Sequence, residues 1–322
     1  MARDNLDSGL IRVGISSCLL GKKVRFDGGH KRDRYLTDIL GDYFKFVPVC
    51  PEIEVGMGVP REAVRLEGET ESPRMVGNKT GQDWTDRMSQ YVDRRVKRAD
   101  IGGLRGFILK SRSPSCGMER VKVYPKPGSV AVKGVGLFAR GLLETHPNLP
   151  VEEEGRLNDA GLRDNFIVRV FAYHRVRQLF DQPFRRGAIV DFHAAHKFLV
   201  LAHSPRHYTE LGRLVAKIKG LSPAQFKQEY TELFMQGLKL KSTVKKNVNV
   251  LMHIAGFLKK LATPQEKKDI QSAITDYHRE LVPLVVPITL MGHFVRKYKI
   301  DYVKNQIYLN PHPKELMLRN HV

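Results

Sequence analysis

The chain has 322 residues, with 54 Lys and Arg against 34 Asp and Glu, a formal net charge of +20, and only three cysteines. At 42% hydrophobic and 27% charged residues it can build proper cores, which excludes wholesale disorder. Three cysteines cannot form a disulfide framework, and the longest apolar stretch, Leu281 to Met291, is broken by Pro283 and Pro287 and is too short to span a bilayer. The start, Met1-Ala2-Arg3-Asp4, lacks a basic-then-apolar signal pattern. The expectation is therefore a soluble cytoplasmic protein of roughly two domains, with no membrane segment and no evident protein partner.

In chain order, the first half reads as short apolar runs separated by Gly and Pro. Ile11-Arg12-Val13-Gly14-Ile15, Tyr43 to Val49 and Gly106-Phe107-Ile108-Leu109 are strand-like. Between the last two, roughly Asp83 to Ala99, the residues Trp84, Met88, Tyr91, Val92 and Val96 fall close to helical spacing. Strands alternating with helices predict an α/β N-terminal domain with a parallel, Rossmann-like sheet. The acidic turn Glu152-Glu153-Glu154-Gly155 marks the boundary region, giving domains over 1–160 and 161–322. The second half predicts consecutive helices, an all-α C-terminal domain. Leu162, Phe166, Val170, Tyr173 and Phe180 recur on one helical face. Phe226, Tyr230, Leu233 and Phe234 share another face after Ser222-Pro223, and Val244, Val248, Leu251, Ala255 and Leu258 a third. Thr263-Pro264-Gln265-Glu266 is a capping box with proline at the first helical position.

Each cysteine follows a strand-like run: Cys18 after Val13 to Ser17, Cys50 after Phe46 to Val49, and Cys116 in the Ser-Pro-Ser-Cys-Gly turn beyond Phe107-Ile108-Leu109. Ligands of open parallel sheets gather at the carboxyl ends of strands, so three cysteines distant in sequence can converge on one edge. Zinc would want a fourth ligand or a water. A cubane iron–sulfur cluster normally takes four thiolates, and with three it keeps one open iron, a soft Lewis acid suited to sulfur. Three unrelated buried cysteines are the plainer alternative. Asp27, Glu52, Ser113 and Ser115 supply proton-handling candidates beside the cysteines, although any of them could instead cap a turn.

These residues fall in five motifs: Ser-Ser-Cys-Leu-Leu-Gly at 16–21, Arg-Phe-Asp-Gly at 25–28, Cys-Pro-Glu at 50–52, Gly-Val-Pro-Arg at 58–61 and Ser-Pro-Ser-Cys-Gly at 113–117. In this order they resemble the TudS-type thiouracil desulfidases, over about residues 10–155. The second half resembles the YbgA-type domain through Asp191-Phe192-His193-Ala194-Ala195-His196-Lys197 and Leu201-Ala202-His203-Ser204-Pro205. The fusion resembles the RudS-type desulfidases, which remove 4-thiouridine from tRNA.

The resemblance implies a 4Fe–4S cluster held by Cys18, Cys50 and Cys116, whose open iron takes the substrate's sulfur. On that reading Glu52, Asp27 and Ser113 are the catalytic candidates, and Ser17, Arg25, Arg61 and Ser115 the substrate-binding ones. The reaction is a non-redox, hydrolytic C–S cleavage that releases hydrosulfide.

A +20 surface attracts polyanions, nucleic acid above all, unless the basicity serves solubility alone. The surplus is shared: 26 basic against 18 acidic residues over 1–150, 28 against 16 over 151–322, and 11 against 3 over 201–260. Lys197, His203, Lys217, Lys219, Lys241, Lys245 and Lys246 are the candidate RNA contacts, with Lys227, Lys239, Lys259 and Lys260 extending the run. Solvated helix faces would look the same. A folded RNA is read mainly by shape, and a thio base inside it has to be exposed for chemistry, as base-flipping enzymes do. His193, His196 and His203 fall within about 80° of one another on a continuous helix, which permits a metal site but suits packing better. Alternative readings are a desulfidase of free thiouracil or thio-nucleotides, a non-enzymatic RNA-binding protein with structural zinc, and a helical half that binds protein or DNA.

Overall fold

A computed structural model describes residues 10–126 and 129–320. Its contacts divide the chain into two compact units, one ending at Asn158 and the other beginning at Asp159.

The first unit carries eight strands among its described residues: β1 (Ile11–Ser16), β2 (Phe44–Val49), β3 (Val64–Glu67), β4 (Arg74–Gly77), β5 (Phe107–Leu109), β6 (Val121–Tyr124), β7 (Val132–Gly134) and β8 (Val151–Glu153). Four form a sheet in the order β2-β1-β5-β8, with every neighbouring pair parallel. Strands buried on both faces read as continuous apolar runs, and β1 fits, with Ile11 and every residue from Val13 to Ser16 buried. Its register sets Ile11 opposite Phe44 and Gly14 opposite Phe107, and Phe107 in turn lies opposite Val151. All four carboxyl ends therefore open on the same edge.

Helices α1 (Pro51–Glu54), α2 (Thr85–Arg95), α3 (Ala99–Gly102) and α4 (Leu137–Thr145) complete this unit. The helix expected over 83–99 occupies only Thr85–Arg95, because the Asp83 carboxylate accepts from the Thr85 amide at 2.9 Å and holds the entry as a turn. Its inner face buries Met88, Tyr91, Val92 and Arg95, the i, i+3, i+4, i+7 pattern of a helix on a core. On α4, Phe138 is fully buried, its ring 5.7 Å from that of Phe107.

Two features depart from the sequence reading. A second sheet, ordered β4-β3-β6-β7, mixes antiparallel and parallel pairs. Its strands are only three or four residues long, too short for alternation to stand out. Residues 151–153 are not a turn but the edge strand β8, and the glutamates in it are buried. Each has its polar partners: Glu152 accepts from the Arg156 guanidinium at 2.6 Å, and Glu153 from the Met118 amide at 2.7 Å. Burial raises the Glu153 carboxyl above its ordinary range.

The second unit is helical: α5 (Ala160–Asp181), α6 (Arg186–His203), α7 (Pro205–Ala216), α8 (Pro223–Lys239), α9 (Val244–Leu258), α10 (Pro264–His278), α11 (Val285–Lys297) and α12 (Asp301–Lys304). Sequence periodicity gives α5 one apolar face, yet every residue from Asn165 to Tyr173 is buried, as in a helix enclosed on all sides. Helix α8 stacks Phe226, Tyr230 and Phe234 along its buried face. Capping boxes start α8 at Ser222/Gln225 and α10 at Thr263/Glu266, each with proline in the first turn. Among the described residues, no helix is long and apolar enough to cross a membrane.

One glycine ties the fold to the loop that carries Cys116. A Cβ on Gly136, just before α4, would lie 2.6 Å from the Ser115 carbonyl oxygen and 3.0 Å from the Cys116 nitrogen, both main-chain atoms. Overpacking of this kind costs about 1–3 kcal/mol. Gly136→Ala is expected to lower the denaturant midpoint of the α/β unit. Gly187→Ala, on α6 with nothing within 4 Å, serves as a control and should be neutral or slightly stabilising.

Candidate active site

Strand ends deliver the three cysteines. Beyond β1 the chain tightens into a 3₁₀ turn, Ser17–Leu20, which carries Cys18 and closes on Gly21 at φ 87, a left-handed conformation natural to glycine. The Lys31 amide returns to the Cys18 carbonyl at 2.9 Å and fixes the loop that follows. Cys50 follows β2 directly and stands at the N-cap of α1, with Pro51 in the first turn. Beyond β5, the segment 110–117 folds so that the Ser113 hydroxyl accepts from the amides of Ser115 (3.3 Å) and Cys116 (3.2 Å). Cys18, Cys50 and Cys116 line one cavity of about 340 Å³.

Burial pushes the Cys18 thiol up to about 11 and raises Cys50 and Cys116 as well; neighbouring Cys50 adds to the effect at Cys18 and Cys116. Lys110 and Arg25 oppose it at Cys18. Among the described residues, no three Cys, His, Asp or Glu side chains come close enough to hold a single metal ion. The thiols surround the cavity rather than a point.

Glu52 lies on the same wall. Its Oε1 accepts from the Ser115 hydroxyl at 2.7 Å, with Ser113 Oγ at 3.5 Å, and its Oε2 pairs with the Arg61 guanidinium. The two serine hydroxyls lie 3.0 Å apart, and Ser115 Oγ lies 3.7 Å from the Cys116 sulfur. Arg61 also donates to the carbonyls of Val24 and Gly58, both at 3.1 Å. Its guanidinium thus holds Glu52 and two loops together while also lining the cavity. Ser17 and Arg25 line the cavity.

Asp27 is not brought to the cavity. Its side chain is 46% exposed, and it accepts from the Gly29 amide at 3.0 Å within a turn, with Arg25 alongside. These contacts, the Gly29 amide first, hold its carboxyl below the ordinary range. Its motif position therefore serves the loop.

Two carboxylates that the sequence reading passed over do structural work here. Glu54 accepts from the Cys50 amide (3.2 Å), the Tyr91 hydroxyl (2.9 Å) and Arg95 (3.0 Å). Glu154, just beyond β8, pairs with Lys110 and accepts from the Ser111 amide at 2.7 Å and hydroxyl at 2.8 Å. The Ser16 hydroxyl accepts from the Lys110 amide at 2.9 Å, so the segment leading to Cys116 is tied to both β1 and β8. Glu52 and Glu54 stand on the exposed-looking first turn of a four-residue helix. Only the proximity of Glu52 to Cys50 marked it in the sequence.

In the helical unit the candidate RNA residues divide. Lys217 and Lys219 are exposed and share a groove with Arg213, and Lys241 and Lys245 are exposed as well. Lys246 donates to the carbonyls of His203 (2.7 Å) and Lys241 (3.1 Å), and Lys197 lies over the rings of Phe198 and Tyr302. His203 is 4% exposed and donates to the Leu240 carbonyl at 2.7 Å, so it is removed from phosphate contact. His196 stacks on Phe192, and His193 meets the Tyr230 hydroxyl at 3.3 Å. Burial lowers all three, His193 and His203 to about 4 and His196 to about 3, so they stay neutral. They are packing residues.

Residues 13–154 match the family described as 2-thiouracil desulfurase, and residues 197–313 match the family described as protein of unknown function (DUF1722). The uncharacterized protein YbgA of Escherichia coli (strain K12) is 28% identical over 158 residues, 49% of this chain and 94% of that protein. A solved structure of the 4Fe-4S-dependent thiouracil desulfidase TudS has 28% sequence identity and a TM-score of 0.38, covering 46% of this chain and 94% of its own. The three thiols and Glu52 all fall inside the segment that matches the 2-thiouracil desulfurase family, and the segment that matches DUF1722 lies wholly in the helical unit.

Proposed function

We propose that this chain removes the sulfur of 4-thiouridine in tRNA, leaving uridine and hydrosulfide. One observation carries the chemistry: three thiols from three strand ends line a single cavity with a glutamate clasped by Arg61 and Ser115. The tRNA substrate draws support from the +20 charge and from exposed Lys217, Lys219, Lys241 and Lys245 on the helical unit. A free base would require neither.

An iron–sulfur cluster fits the residues present. The donor set is all thiol, which suits iron–sulfur chemistry. It is spread around a cavity, whereas a structural zinc needs its ligands about one point. Cys18, Cys50 and Cys116 would hold the cluster. When bound, it would supply a Lewis-acidic iron for the thiocarbonyl sulfur.

The protein's own part is proton handling and orientation. Glu52 takes a proton from the attacking water at Oε1, the atom that Ser115 now contacts, and gives it to the departing sulfur, while the second water proton passes to solvent as the new carbonyl forms and the ring nitrogen keeps its own. Arg61 keeps the carboxylate in place through that exchange. The water oxygen replaces sulfur on the ring carbon, the C–S bond breaks with its electron pair on sulfur, and hydrosulfide leaves. No electron is gained or lost overall. Ser113 and Ser17 line the approach of the base.

Anaerobic reconstitution with iron and sulfide should turn the full chain brown, with broad visible absorption. Cys18→Ala, Cys50→Ala and Cys116→Ala should each lose that absorption and all turnover; retention in any of them rules out this ligand set. Glu52→Gln should keep the colour while turnover falls about 10²- to 10⁴-fold, the range for losing a general acid–base group. Incubation with bulk bacterial tRNA should deplete 4-thiouridine, read by nucleoside mass spectrometry. Turnover on free thiouracil with none on tRNA would instead favour the free-base reading, which the small cavity volume also allows.

A further inference from the structure

Five cations line the cavity: Arg25, Lys31, Arg61, Lys110 and Arg112. Arg61 is held by Glu52 and Lys110 by Glu154, while Arg25 leans on Asp27 at 3.4 Å. Lys31 and Arg112 are exposed and have no side-chain partner among the described residues. Two uncompensated cations beside a small cavity suit an anionic ligand larger than the cavity itself.

Phe26 is the aromatic ring on the cavity wall, and it is 41% exposed. Its loop is braced: the Arg61 amide donates to the Phe26 carbonyl at 2.9 Å, and the Gly28 amide to that of Arg25 at 3.0 Å. The Arg25 guanidinium lies 5.4 Å from its ring centre. A braced, half-exposed ring at a reactive cavity costs hydrophobic burial and offers a stacking face. Arg112 adds an independent sign. It sits at φ 59, a region that side chains other than glycine occupy at a cost, between Ser111 and Ser113.

We propose that Phe26, Lys31 and Arg112 form a nucleotide-reading rim, with Phe26 stacking on the thiopyrimidine ring and the two cations meeting its flanking phosphates. This rests on the reading of the cavity as a thiopyrimidine desulfidase site. The chemistry recognised is a thionucleotide, whether free or within RNA. A nucleotide inside a chain brings two phosphates, a 5′-monophosphate one, and the free base none. The contribution of the cations should fall in that order.

The test uses the full chain loaded with its metal group, with kcat/KM measured on free 4-thiouracil, 4-thiouridine 5′-monophosphate and thiolated tRNA. Lys31→Ala and Arg112→Gly should each lower the tRNA-to-base ratio about ten-fold and reduce the salt slope on tRNA by about one. Glycine relieves the backbone at 112, and retained visible absorption marks the variant as folded and loaded. Lys31→Arg should restore the ratio. Phe26→Ala should raise KM more than it lowers kcat, with Phe26→Tyr restoring it. An unchanged ratio in both cation variants overturns the rim, and so does loss of visible absorption in either. If the wild-type chain acts on the base but not on tRNA, the tRNA substrate falls, and the monophosphate-to-base ratio alone decides the rim. A wild-type chain inactive on all three overturns both.

Discussion

Parallel pairing on both sides of β1 is the constraint from which the site follows. Because β2 and β5 run in the same direction as β1, their carboxyl ends share one edge, and the turns beyond them must face one another. Three cysteines separated by as many as 98 positions meet for that reason alone. An antiparallel partner on either side would have sent one of them to the opposite edge. The deep burial of β1 makes this register costly to slip, since a one-residue shift would change which side chains face the core.

Carboxylates then convert a shared edge into a defined cavity. Glu52, Glu54 and Glu154 each hold a different loop: the first binds Arg61 to Ser115, the second fixes the Cys50 amide to α2, and the third fastens Lys110 and Ser111. In each case a cation offsets the negative charge, at half-buried Glu52 and Glu154 and at exposed Glu54 alike. The arrangement leaves the three thiols lining the cavity. It also leaves Glu52 as the carboxylate that both lines the cavity and touches hydroxyl groups with protons to share.

Much of the first sheet was legible because its strands are continuous apolar runs, and the Cys-bearing turns follow them directly. The second sheet was not. Val64-Arg65-Leu66-Glu67 and Val121-Lys122-Val123-Tyr124 do alternate, but four residues give too few repeats to separate a strand from a loop. Strand β8 was hidden for a different reason. Two adjacent glutamates read as solvent-facing until Arg156 and the Met118 amide are known to meet them, and those partners come from tertiary structure. Helix α5 shows the limit from the other side: burial on every face erases the period that would reveal which neighbours enclose it. In the site, Glu52 was readable from its distance to Cys50, whereas Asp27 shared the same kind of motif and turned out to close a turn. The histidines of α6 could be placed on one face, but only packing showed that this face is interior.

The placement of Glu154 carries a consequence for how the protein is made. It follows the last strand of its sheet, so on a ribosome the edge strand and this latch emerge after every cysteine has left the exit tunnel. Until then Lys110 and Ser111 lack their carboxylate, and the turn carrying Cys116 has one anchor fewer. Domains fold largely as units during synthesis, and this one cannot complete its reactive edge before residue 154 is available. Truncation a few residues short of that point would thus leave the three thiols present in the chain but the turn around Cys116 unlatched.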